Sequence, residues 1–185
     1  MSMILGLERG KVKLVPHQSS WKLAADEKIS LIKTILGEKV INIQHIGSTA
    51  IFNIHAKPII DLVVGINSEH IFNDIDFYSE TLSKYDIVFR GCERGNSNQF
   101  LFVIGDFEKN IRTFHIHFVI WNSKEWNDYI NFRDYLNAFP KKAMEYDKIK
   151  QDLAYKFADD RNLYTLGKSQ IINKVLEEAI SWKQM

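Results

Sequence analysis

The stretch HIGSTAIFNIHAKPIIDLVVG, residues 45–65, decides the fold. Its second half, KPIIDLVVG, is a nearly unbroken apolar run. Such a run reads as a strand buried on both faces of a central sheet, and Pro58 can stand only at its start. Period-two alternation puts Ile59, Asp61 and Val63 on one face and Ile60, Leu62 and Val64 on the other. A carboxylate among aliphatic neighbours is costly to bury unpaired. Asp61 is therefore expected at a strand end or in a cleft, facing a cation or hydrogen-bond donors. The plainer alternative is a turn cap or an ion pair with one buried arginine. Before this run, KVINIQHIG is rich in β-branched residues and reads as a strand that ends in the Gly47-Ser48 turn. A short helical or irregular link over 49–56 joins the two. Glycine lets a backbone approach a phosphate, and a following helical turn directs N–H groups at it, so Gly47, Ser48 and Thr49 are candidate phosphate contacts.

Outward from this stretch, residues 11–15 (KVKLV) alternate up to Pro16 and suggest a short strand. Ser19 or Ser20 can cap a helix running to Leu36, with Trp21, Ala24, Ala25, Ile29, Ile32 and Leu36 at helical spacing and Gly37 as its stop. Residues 68–83 read as a helix, DIVFRG as a strand and CERGNSN as a loop. QFLFVIG and RTFHIHFVIW read as two further strands, separated by a polar turn over 106–110. After Ser123 the character changes to three helices, over 123–139, 141–159 and 164–184, broken at Pro140 and near Asn162. The expected class is α+β in one domain, a mixed sheet flanked by helices with a helical C-terminal third over 123–185.

Composition sets outer limits. The 185 residues are 45% hydrophobic and 25% charged, and net charge is +1. No basic stripe is present, so the pattern speaks against nucleic acid as a partner except as a substrate end held in a pocket. No apolar run reaches the ~20 residues that span a bilayer. The opening MSMILGLERGKVKLV is too short and too soon charged for a secretory signal, and the one cysteine, Cys92, admits no intrachain disulfide. A cytoplasmic location is the expectation. Oligomeric state is not legible.

Two further patterns suggest chemistry. In TFHIHFVI, Phe114, Ile116, Phe118 and Ile120 share an apolar face, while His115 and His117 share the other, roughly 7 Å apart. That is near enough for both to reach one metal ion or one phosphate, although a pair of polar residues on a wet strand face has the same pattern. In the C-terminal helices, Arg133 falls on the stripe of Trp126, Tyr129, Ile130 and Leu136. Lys150 stands four residues after Tyr146, and Lys168 stands just before the stripe of Ile171, Ile172, Val175 and Ala179. One cation per helix on its inward side suggests convergence on an anion such as a nucleotide phosphate. The competing expectation is that the long stems snorkel to the helix rims.

The segments HIGSTA, AKPIIDL, FHIHFV, NFRDYLNAFPKKAMEYDKIKQDLA and DRNLYTLGKSQII together resemble the GrpB-like family, a branch of the nucleotidyltransferase superfamily. The resemblance runs from about Val12 to Ile180. It implies a mixed sheet, a Gly-Ser turn that holds a triphosphate, and two acids spaced D-x-D on the next strand, often with a third on a neighbouring strand. Those acids hold two Mg²⁺ ions that activate a hydroxyl and steady the departing pyrophosphate. Here Gly47, Ser48 and Asp61 are present, Val63 stands at the second acid position, and His115 and His117 stand where a third acid belongs. Valine cannot ligate Mg²⁺. Phe52-Asn53 replaces the Pro-Gly usual after GSTA.

Three readings follow. In the first, a nucleotidyltransferase-type enzyme binds a nucleotide or other phosphorylated small molecule. Asp61, His115 and His117 hold one divalent ion, Mg²⁺ or Mn²⁺ before Zn²⁺, and no organic cofactor is implied. Arg133, Lys150 and Lys168 neutralise phosphate, Lys57 is a candidate extra contact, and Tyr164 stacks on or hydrogen-bonds a base. In the second, the same fold binds nucleotide without catalysis. In the third, His115, His117 and Asp61 form the metal site of a hydrolase, with open positions for water. Glu93 is a candidate for completing either metal site.

Overall fold

This computed structural model describes residues 3–67, 74–93 and 96–184, without the side chains of 93 and 96–98. Seven strands and six helices are seen among them: β1 (Leu7–Glu8), α1 (Ser20–Leu36), β2 (Val40–Ile46), β3 (Ile60–Ile66), α2 (Ile75–Ser83), β4 (Val88–Glu93), β5 (Asn96–Ile104), β6 (Ile111–Arg112), β7 (Phe114–Ile120), α3 (Lys124–Ala138), α4 (Pro140–Lys156), α5 (Arg161–Gly167) and α6 (Ser169–Lys183). The central sheet has the order β2-β3-β7-β5-β4, and β1 pairs with β6 in a small second sheet. β3 and β7 run parallel in register, with Asp61 opposite His115 and Val63 opposite His117. The other neighbours are antiparallel. The expected α+β class with a mixed sheet is what the chain forms.

The alternation read from KPIIDLVVG sorts the two faces of the sheet. Ile60, Leu62 and Val64 join Phe114, Ile116 and Phe118 against Trp21, Ala25 and Ile32 of α1 and Tyr78 and Leu82 of α2. On the other face Val63 packs with Ile46, Val119 and Trp126 under α3. A third apolar cluster ties Ile51 and Ile54, just after the Gly-Ser turn, to α3, α4 and α6. The turn is thereby fixed by packing to the helical third of the chain. Trp21 is fully buried, and its indole N–H donates to Ile4 O at 3.0 Å, which meets the polar need of that large side chain.

Several boundaries differ from expectation. Residues 11–15 form no strand, and only Val15 makes a bridge, to Ala56. Val12 N–H instead donates to Ala158 O, so the segment is spent clasping the end of α4. The loop expected over 92–98 is shorter, since β4 runs to Glu93 and β5 starts at Asn96. The helix expected over 68–83 is seen from Ile75, and residues 68–73 lie outside the described residues. The helix expected over 164–184 is two helices. Asp160 caps α5 by accepting from Asn162 N–H and Leu163 N–H. Gly167 ends it where a Cβ would lie 2.6 Å from Leu153 of α4. No helix among the described residues is long and apolar enough to cross a membrane.

Candidate functional site

Asp61 stands near the start of β3, beside the chain that leaves β2. Between them Gly47 adopts φ 69°, and a Cβ there would sit 2.5 Å from Asp61 Oδ2. Only glycine lets the turn lie this close to the carboxylate. The 3-10 turn Ser48–Ala50 follows. Ser48 Oγ lies 3.4 Å from Tyr146 Oη, and Thr49, 2% exposed, holds His45 Nε2 at 2.9 Å.

His115 Nδ1–H donates to Asp61 Oδ1 at 3.2 Å, and His117 Nε2 is 3.7 Å from the same oxygen. Tyr129 Oη is 3.3 Å from His117 Nδ1, and Gln99 Nε2–H donates to Tyr129 Oη, so a polar chain backs the carboxylate. Burial pushes the Asp61 carboxyl up, but the hydrogen bonds and charges of His115 and His117 outweigh it and hold the group well below the usual carboxylate range. Burial pushes His115 down from 6.5, against the pull of Asp61. Its Nδ1 is occupied by Asp61, and its Nε2 lone pair remains.

These groups line a cleft of about 440 Å³ between the sheet and α3, α5 and α6. That volume lies within the range of small-molecule sites. Lys57, Arg161 and Lys168 line it, and so do Glu125 and Asp128 of α3. Burial, aided by the Arg161 charge, pushes Lys57 down to about 8, although Asp61 pulls it up. Lys57 Nζ and Lys168 Nζ stand 5.8 and 4.6 Å from the centre of the Tyr164 ring. Tyr164 lines the cleft at 1% exposure.

The three helical cations do not converge. Lys168 reaches the cleft. Arg133 turns to β2 instead, where Nη1–H donates to Gln44 Oε1 and His45 O at 3.0 and 2.9 Å, and its fork also meets Asp134. It lines a second cavity, of about 630 Å³, with His17, His45 and Asn137. Lys150 is 1% exposed, donates to His55 O and lies 3.4 Å from Asp147 Oδ1. Asp147 also accepts from His55 N–H and Gln151 Nε2–H, at 2.8 and 2.9 Å. A helical stripe fixes only which side a cation faces, and backbone carbonyls of β2 and of the link after the turn claimed these two. Glu93 ends β4, and its side chain lies outside the described residues.

Arg161, Tyr146, Tyr129, Gln99, Glu125 and Asp128 were not singled out by sequence. Arg161 carried a signal: it directly follows Asp160, a capping residue type placed where a helix break was expected.

The chain is similar in structure to the Cid1 poly(U) polymerase solved with MgGTP bound. The TM-score is 0.51 at 15% identity, over 76% of this chain and 44% of that one. The fold is thus nucleotidyltransferase-like. A family model described as GrpB protein matches residues 11–178, and the chain belongs to that family. It is 38% identical to the glutamate-rich protein GrpB of Alkalihalophilus pseudofirmus over 95% of this chain and 99% of the relative. It is 33% identical to the UPF0157 protein YqkA of Bacillus subtilis over 94% of this chain and 49% of that one. The crystal structure of conserved protein GrpB from Enterococcus faecalis superposes with a TM-score of 0.83 at 29% identity, over 94% of this chain and all of that one.

Such a fold implies divalent metal ions. Asp61, His115 and His117 do meet, but both imidazole nitrogens turn to one carboxylate oxygen, not to a shared point between the three groups. Val63 is fully buried. Among the described residues no group of three or more His, Cys, Asp or Glu side chains is placed to hold an ion. One carboxylate and two imidazoles do not fit a pair of Mg²⁺ ions, which take oxygen ligands.

Proposed function

We propose that this cleft binds a nucleotide or other phosphorylated small molecule and, from a nucleoside triphosphate, transfers the nucleotidyl group to a hydroxyl as pyrophosphate leaves. The observation that carries the reading is the press of Gly47 against Asp61, which joins the Gly-Ser turn, the carboxylate–imidazole group and cationic side chains in one cleft. Ser48 and the turn backbone meet the phosphates. Lys57, Arg161 and Lys168 neutralise the charge that builds on the departing pyrophosphate. His115, oriented by Asp61, accepts the proton of the attacking hydroxyl. The nucleotidyltransferase-like fold supports this reading. The burial of Val63 where a second acid belongs favours another, in which the cleft binds a nucleotide without turnover.

Calorimetric titration with each common nucleoside triphosphate tests the binding that both readings share. Saturable binding is expected, weakening as pH rises through about 8 because Lys57 loses its charge. Lys57→Gln should weaken binding about tenfold and remove that pH dependence. No binding to any common nucleotide would end both readings. Pyrophosphate release above that of an Asp61→Asn control separates transfer from binding alone.

A further inference from the structure

Beside the cleft, arginines from four distant parts of the chain gather at one corner, two of them over one aromatic ring. Arg112 ends β6, two residues before β7 begins, and pairs with Leu7 of β1. Arg9 follows β1, and its N–H donates to Asn110 O at 2.9 Å. Arg161 N–H donates to Gly10 O at 3.2 Å, which ties the start of α5 to the same corner. Arg90 of β4 and Arg112 lay their guanidinium groups over Phe107, at 5.0 and 4.6 Å from the ring centre. The ring is itself 38% exposed, and Arg9 and Arg90 are exposed, so the corner is open to solvent.

Arg112 is the unusual member. It is only 8% exposed, yet its one hydrogen bond among the described residues runs from Nη1–H to Ile111 O at 3.1 Å. A guanidinium offers five N–H donors and cannot shed its charge. Burial and then the charges of Arg90, Arg9 and Arg161 push its pKa down. A buried arginine normally faces a carboxylate. Here four cations are instead gathered by backbone pairing and by a shared ring face, which costs repulsion with no relief inside the described residues. A dianion would supply that relief, since planar guanidinium forks match phosphate oxygens.

We propose that Arg9, Arg90 and Arg112 form a second anion site, built for the phosphate monoester of a phosphorylated ligand and joined to the cleft through Arg161. Arg161 both lines the cleft and acts on Arg112. Where the cleft holds a nucleotide, the ligand at the arginine corner is the acceptor, but the anion site itself stands without that reading.

Inorganic pyrophosphate, titrated by calorimetry at low salt, probes the corner directly. Arg9→Gln with Arg90→Gln changes only exposed side chains, and thermal melting confirms that the double variant folds. Arg112→Lys keeps the charge and removes the fork. Both variants should lose one equivalent of bound pyrophosphate, or bind it at least tenfold more weakly. Lys57→Gln should retain that equivalent, so failure of the cleft reading would not remove it. Pyrophosphate binding within twofold of the natural protein in both variants would overturn the proposal. So would a short oligonucleotide, with only diester phosphates, that binds the corner tenfold more tightly than pyrophosphate at the same salt.

Discussion

At the scale of single residues, Gly47 constrains the site most directly, because what its Cβ would meet is Asp61. Gly47→Ala combines a strained φ of 69° with a Cβ set 2.5 Å from Asp61 Oδ2. It should cost about 1–3 kcal/mol in denaturant unfolding and abolish nucleotide binding, because the carboxylate must move. Unchanged binding would mean that the contact does not position the site. Protonation gives a second check. His115 accepts a proton only when neutral, and its pKa lies below 6.5. Lys57 attracts phosphate only when charged, and its pKa is about 8. For any nucleotide that turns over, kcat/KM should fall on the acid side below 6.5 and on the basic side above about 8. His115→Gln should remove the acid limb, and an acid limb that survives would exclude this role. Asp61 and the His-x-His pair were legible in sequence because alternation on a strand fixes the face of each side chain. The polar chain through Tyr129 and Gln99 was not, since it depends on how α3 lies across β5 and β7.

At the scale of elements, two of the helical cations brace the fold. Lys150, Asp147 and His55 lock α4 to the link after the Gly-Ser turn. Burial pushes Lys150 down to about 8, while Asp147 pulls it up. Asp147→Ala removes the carboxylate and the acceptor of His55 N–H, and leaves an ammonium buried with one carbonyl. Denaturant unfolding should show a loss of about 3–5 kcal/mol. A loss below about 1 kcal/mol would show that the lock is not structural. The helices themselves were readable from their stripes, as the burial of Trp21, Ala25, Ile32 and Leu36 in α1 shows. Sequence spacing said that Arg133 and Lys150 face inward. It did not say that backbone carbonyls would receive them. The break at Gly167 was hidden for the same reason: it answers a contact with Leu153, fourteen residues away.

At the scale of the whole molecule, the parallel pair β3–β7 and the clasp of α3, α5 and α6 over it give a cleft lined by acidic and by cationic side chains. The fold class was legible because KPIIDLVVG reads as a central strand, and because segments from about Val12 to Ile180 resemble one family. The cleft's occupant was not legible, since Val63 removes the residue that would have named the metal chemistry. The most direct test is a crystal structure with a non-hydrolysable nucleoside triphosphate analogue at saturating concentration. The phosphates should lie between the Ser48 turn and Lys57, Arg161 and Lys168, with the α-phosphate nearest His115. A ligand seated instead in the cavity beside Arg133 and His45, or a cleft left empty at saturation, would contradict the account.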